Sequence, residues 1–316
     1  MTKAFPHADP RPHLPLSVWA TGQPDDPAWL TQGRYLPETA EDLGRMPPPV
    51  AAYAIAAYTH PGDTVLDPSC GAGTVLVEAL RAGRHAIGIT AQSQWWPVAR
   101  ANVTAAKRDG AASDGMVLGG PRDLTTARLS GVAGRVDLAL TALRPADLVP
   151  LESAATQLDC SSPEPRREGR STRLCAILAQ CRELLRPGGH VVVQAGSWRQ
   201  HGYLRDSAGL ILAFGRAAGL IPVERCIALL AELRGDHLAV HASLAQRRAA
   251  ARHERAIGHP ITLSAHQDVL VFRRPGEAAQ AAVLPRPDMP SPRFLLLVEP
   301  LADREEIRAL PRAYAA

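Results

Sequence analysis

From about residue 47 to residue 274, short apolar runs alternate with longer stretches whose apolar residues recur every three or four positions. Short continuous runs suit strands buried on both faces, and the longer period suits helices with one buried side. Strands are predicted at 64–67, 85–89, 116–118, 136–140, 190–194, 221–230 and 268–272. Helices are predicted at 50–58, 74–82, 96–108, 172–185, 208–218 and 244–257. Gly83 and the pair Asp109-Gly110 read as helix ends, where a left-handed residue stops the chain. Strands alternating with helices imply a mostly parallel, seven-stranded α/β sheet with right-handed crossovers and helices on both faces.

The flanks lack this alternation. Residues 1–45 are rich in proline and poor in periodicity, which reads as a partly extended arm. Within it, 16–21 and 34–37 carry isolated aromatics, Trp19 and Tyr35, expected to anchor the arm on the domain that spans 46–274. The polar stretch 161–170 reads as an exposed loop, and 275–316 as a proline- and alanine-rich tail.

Composition narrows the class. The chain has 316 residues and 46% hydrophobic content, enough for a substantial core. No apolar run approaches the ~18 residues of a membrane helix, and 1–7 lack an apolar signal core, so a cytoplasmic protein without a membrane partner is expected. The five cysteines have no paired metal spacing, and an odd number speaks against a disulfide framework, so reduced thiols and no metal are expected. Net charge is +4, and all but Lys3 and Lys107 of the 35 basic residues are arginine, the better phosphate ligand. DNA or RNA is therefore one candidate partner and a protein another. The helix at 244–257 carries Arg247, Arg248, Arg252 and Arg255, which read as a solvated face covering the sheet edge or as a nucleic-acid surface.

The chemistry concentrates at Asp67-Pro68-Ser69-Cys70-Gly71-Ala72-Gly73-Thr74. An apolar strand ends on a carboxylate, breaks into a small-residue turn and restarts as a helix, at the strand end where open α/β sheets bind ligands. Gly71 and Gly73 permit positive φ and close approach of a nucleoside. Thr74 is expected to cap the following helix, whose free N–H groups favour a carboxylate or another polar group. Asp67 suits hydroxyls or an ammonium better than phosphate. The turn reads as a site for an amino-acid-bearing nucleoside.

This motif resembles the first cofactor motif of the S-adenosylmethionine-dependent methyltransferases of nucleic-acid amino groups, the DNA adenine-N6 and cytosine-N4 and tRNA guanine-N2 enzymes. The likeness extends upstream through Met46-Pro47-Pro48-Pro49 and the helix at 50–58 to Thr59-His60-Pro61-Gly62-Asp63, and downstream to Leu185-Arg186-Pro187-Gly188-Gly189. It implies a Rossmann-like class I methyltransferase fold, S-adenosylmethionine as cofactor, and Asp67, Pro68, Ser69, Cys70, Gly71, Gly73, Thr74 and Thr90 at the cofactor.

The same resemblance exposes three departures. The family ends its fourth strand with Asp, Asn or Ser, then Pro-Pro and an aromatic, which accept the target amine and stack the base. The slot here reads Ala142-Leu143-Arg144-Pro145. Where the second strand should end on a ribose-binding carboxylate stands Thr90, and Gly120 occupies the expected adenine-reading Asp position, with Asp123 three residues on. The expected function is a methyltransferase-family protein impaired in amino methylation. The alternative is a non-catalytic pseudo-methyltransferase serving as a binding or regulatory subunit.

Overall fold

A computed structural model describes residues 16–23, 33–119, 131–143, 170–200, 203–242 and 244–276. Gly120, Asp123, Arg144, Pro145, most of the 161–170 loop and the 277–316 tail lie outside them. In chain order the elements are β1 (Val18–Trp19), α1 (Pro48–Tyr58), β2 (Thr64–Asp67), α2 (Thr74–Arg81), β3 (His85–Thr90), α3 (Trp95–Arg108), β4 (Gly115–Gly119) and β5 (Val136–Leu143). Then come α4 (Arg170–Leu184), β6 (Leu185–Ala195), β7 (Trp198–Gln200), β8 (Tyr203–Arg205), α5 (Ser207–Ala217) and β9 (Ile221–Leu229). The series ends with β10 (Ala231–Arg234), β11 (His237–Val240), α6 (Leu244–Ile257) and β12 (His266–Arg273).

One sheet of order β1-β9-β12-β6-β5-β2-β3-β4 organises the molecule. β12 is antiparallel to both neighbours, β6 and β9, while the remaining pairs are parallel. This is the mostly parallel, doubly wound α/β sheet expected from the alternation, with one addition. Val18 and Trp19 pair in parallel with Ile227 and Ala228, so the sheet has eight strands rather than seven. The two-residue strand was invisible as a periodic run; burial of Trp19 and its stacking on Tyr53 at 4.6 Å hold it in place.

Strict alternation splits the core into two layers. Val65, Leu138, Leu140, Val192, Val269 and Val271 face α1, α2 and α3. Leu66, Ala139, Val191, Val193, Leu270 and Phe272 face α4 and α5. Burial on both sides explains why these strands read as unbroken apolar runs. β6 begins at Leu185, earlier than expected, because Leu185 already pairs with Val136 before a register shift. Two hairpins escaped the sequence pattern, β7–β8 and β10–β11. Both follow the carboxyl ends of sheet strands, β6 and β9. No helix among the described residues is long and apolar enough to cross a membrane. Cys70, Cys181 and Cys226 are free and buried, whereas Cys175 is disulfide-bonded, so the expectation of uniformly reduced thiols does not hold. An odd cysteine count leaves room for such a bridge.

Candidate cofactor site

The β2–α2 turn is fixed by its own backbone and by its neighbours. Asp67 is buried at the end of β2, and its Oδ1 accepts from the Ser69 N–H at 2.9 Å. The Cys70 N–H donates to the Ile89 carbonyl at 2.9 Å, tying the turn to the end of β3. The Gly73 N–H donates to the Cys70 carbonyl at 2.7 Å. Gly71 and Gly73 have φ of +49° and +87°, the left-handed region that side chains with a Cβ disfavour. Pro68 and Cys70 are buried; Ser69 is exposed and Gly71 half-buried, so these last two carry the turn's open surface.

Two expectations about the turn need correction. The bare backbone at Gly71 does not face only a ligand, because a Cβ there would lie 2.0 Å from Asp42 Oδ2. That carboxylate accepts from the Ala72 N–H at 2.9 Å and, through Oδ1, from the Gly44 N–H at 3.1 Å. Thr74 does not cap α2 either. Gly73 is the N-cap residue, without a side-chain cap, and the Thr74 hydroxyl donates instead to the Met46 carbonyl at 3.1 Å. The helix has taken Thr74 into its first turn, where the hydroxyl reaches the segment ahead of α1.

Residues that the sequence did not single out hold this arrangement. Asn102, fully buried on α3, donates to the Ala72 carbonyl at 2.9 Å and to Thr39 Oγ1 at 2.8 Å, and accepts from the Leu36 N–H at 2.8 Å. The Tyr35 hydroxyl donates to Glu78 of α2. Residues 35–42 are thereby bound to the turn, as the aromatic anchor at Tyr35 predicted. The one signal in the sequence was Asp42-Leu43-Gly44, a short polar turn in which an Asp side chain meets the backbone two residues on.

Electrostatically the site is dominated by two buried carboxylates, Asp42 and Asp67. Burial pushes the Asp67 carboxyl up to about 7, with Asp42 adding repulsion and the Ser69 N–H opposing both. Burial and Asp67 likewise raise the Cys70 thiol well above its ordinary value. The two carboxylates accept from backbone N–H groups, and the Arg45 guanidinium donates to the Asp42 carbonyl at 2.9 Å. Two buried carboxylates at one turn suit a ligand that brings positive charge, such as an ammonium.

The outer part of the rim is plainer. The Thr90 hydroxyl is engaged with the N–H and carbonyl of Gln92, both at 3.3 Å, so it closes the end of β3 on itself. Beyond it, a Cβ on Gly119 would fall 2.6 Å from Trp96 Cδ1, which places the indole directly against the end of β4. The Arg100 guanidinium covers that ring at 4.5 Å. At the end of β5, Ala142 pairs with Gln194 and Leu143 with Ala195. Ala142 and Leu143 pack against the two core layers and offer no polar side-chain atom. Their neighbour Gln194 is 2% exposed, and its Oε1 has no hydrogen-bond partner. Sequence reasoning passed over this amide because it ends an otherwise apolar run. Among the described residues no cluster of metal-ligating side chains occurs.

Residues 14–99 match the DNA methylase family model. That segment contains α1, β2, the turn, α2 and β3, and stops before β5. YubD of Escherichia coli (strain K12), a predicted methylase, is 32% identical over 114 residues, covering 35% of this chain and 46% of YubD. The match thus spans about half the length of that relative. Among solved structures, TrmN from Thermus thermophilus aligns at 16% identity and a TM-score of 0.45 over 77% of this chain and 53% of TrmN. A methyltransferase from Methanosarcina mazei aligns at 14% and 0.43 over 71% of this chain and 98% of its own. The likeness to DNA methylases thus lies in residues 14–99, the segment that builds the β2–α2 turn.

Proposed function

We propose that this chain binds S-adenosylmethionine at the β2–α2 turn and is a cytoplasmic nucleic-acid methyltransferase relative impaired in amino methylation. Asp67, exposed Ser69, half-buried Gly71 and the first turn of α2 would hold the cofactor's amino-acid end. Thr90 and the rim beside Trp96 would take its nucleoside. The cofactor supplies an activated methyl group on sulfur. What the protein must add is an acceptor that orients the lone pair of the target amine.

One observation carries the impairment. Where β5 ends, the half-buried side chains of Ala142 and Leu143 present only methyl and isobutyl groups. An aliphatic slot neither accepts the amine hydrogens nor stabilises the charge that develops on nitrogen. At the cofactor, Thr90 further replaces two charge-assisted hydrogen bonds with a neutral hydroxyl that is already engaged. That second weakness favours the other reading, a non-catalytic subunit that binds DNA, RNA or a protein partner.

Calorimetric titration with S-adenosylmethionine and its demethylated product tests the first half of the proposal. Absence of heat and of thermal stabilisation at millimolar ligand would refute it. Transfer of a radiolabelled methyl group to DNA and RNA tests the second half. Efficient labelling of an adenine or cytosine amine would overturn the impairment.

A further inference from the structure

We infer that α6 and the β10–β11 hairpin that precedes it form a nucleic-acid docking arm on the same rim of the sheet as the cofactor turn. The inference rests on the nucleic-acid reading above and assigns it a surface. β9 runs parallel to β6, β5 and β2, so its carboxyl end lies on the rim where β2 delivers Asp67. The chain leaves the sheet at Leu230 and returns at Ala265, and the Leu230 N–H donates to the Ala265 carbonyl at 2.8 Å. Everything between is an excursion from one closed foot. The foot is buttressed by the arm that carries β1: Thr21 Oγ1 donates to the Leu229 carbonyl at 2.8 Å, and His241 Nε2 lies 3.2 Å from the Gly22 carbonyl.

The excursion does not serve the core. No strand of the sheet packs extensively against α6, which corrects the expectation that this helix covers the sheet edge. Arg247 turns back and donates to the Val240 and Ala242 carbonyls, fastening the helix to the hairpin. Arg248, Arg252 and Arg255 are exposed and stand at i, i+4 and i+7, so they share one stripe about 10 Å long. Glu254, the helix's single acid, lies off that stripe. Successive phosphates of one duplex strand are about 3.4 Å apart along the axis, so the stripe matches about three of them. Three guanidiniums in a row are matched by a repeating anion rather than by one carboxylate. Four strand spacings of about 4.8 Å separate β9 from β2, so the foot of the arm stands about 19 Å along the rim from Asp67. A nucleic acid held on α6 would reach the turn within about six base steps.

The test uses the full chain and fluorescein-labelled oligonucleotides, a duplex and its single strand, with anisotropy read across a sodium chloride series. The triple substitution Arg248→Ala, Arg252→Ala, Arg255→Ala should weaken binding at least tenfold at low salt. It should also reduce the slope of log affinity against log salt by about 2 to 3, since each lost phosphate contact removes about 0.9 for a duplex. The triple Arg→Lys variant should keep most of the slope, and circular dichroism should show the helix retained. Unchanged affinity and slope in the alanine variant would overturn this surface and leave the nucleic-acid reading standing. No oligonucleotide binding by the unaltered chain would overturn both. Retention on polyglutamate without oligonucleotide binding would do the same, in favour of an acidic protein partner.

Discussion

The ends of β2 and β5 lie side by side on one rim, yet they are built in opposite ways. The β2 end is held by three polar contacts from two distant segments: Asp42 on the Ala72 amide, Asn102 on the Ala72 carbonyl, and Thr74 on the Met46 carbonyl. The β5 end closes with Ala142 and Leu143, half-buried aliphatic side chains packed against the edge of the core. A turn that is tied from outside keeps a shape beyond what folding alone demands, because buried hydrogen bonds are costly to leave unmade. An aliphatic strand end keeps only the packing. The difference is the structural basis of the reading proposed above, a cofactor cradle kept beside an acceptor slot without polar side chains.

The sharpest way to break this contrast is Gly71→Ala. The new Cβ meets both a left-handed φ and the Asp42 carboxylate at 2.0 Å. Displacing Asp42 strands the Ala72 and Gly44 amides, so a loss of roughly 3–5 kcal/mol in chemical denaturation is expected, with loss of cofactor binding. A stable variant would mean that the turn is less tightly specified than its contacts imply. Asn102→Ala comes next. It leaves the Ala72 carbonyl and the Leu36 amide without their partner, at a cost of about 2–4 kcal/mol. It should also release residues 35–42, which limited proteolysis can detect.

Asp67→Asn sharpens the comparison through pH. The folded carboxyl titrates near 7, against 3.8 as the ordinary value, so between about pH 4 and pH 7 the folded chain holds a proton that the unfolded chain has released. Stability from this group is therefore complete below about pH 4 and is lost as pH rises through 7. Denaturation midpoints should fall over that interval and flatten above it. In the Asn variant this contribution to the slope should vanish. Cofactor affinity should run the other way and rise through pH 7, because an ammonium is best matched by the ionised carboxylate. Affinity independent of pH there would separate Asp67 from the ligand.

These effects divide by what sequence can carry. The strands at 64–67, 136–140, 190–194 and 268–272 were legible because both faces are buried, which leaves an apolar run whatever the tertiary details. Gly83 and Gly110 were legible as helix ends because positive φ is a local demand. The roles of Asp42 and Asn102 were not, since each depends on a contact across about thirty residues or more that no local pattern announces. Thr74 misled for a related reason: a cap is a local reading, and here a distant carbonyl outcompeted it. β10 and β11 escaped because a hairpin standing clear of the core needs no apolar face, as the exposed pair Leu233 and Leu238 illustrates.

The smallest expected effect bears most directly on the β5 end. Gln194 is the polar neighbour of Ala142 in the register, buried, with an Oε1 that has no partner. A buried carbonyl left unpaired is a standing cost, so Gln194→Leu should alter stability by less than about 1 kcal/mol and in the favourable direction if the shape is accommodated. A stabilised variant with unchanged residual methyl transfer would mark the amide as a remnant and deepen the contrast with the turn. Loss of residual transfer in a fully folded variant that still binds cofactor would mean the opposite. The acceptor would then have moved one strand over, from the end of β5 to the end of β6.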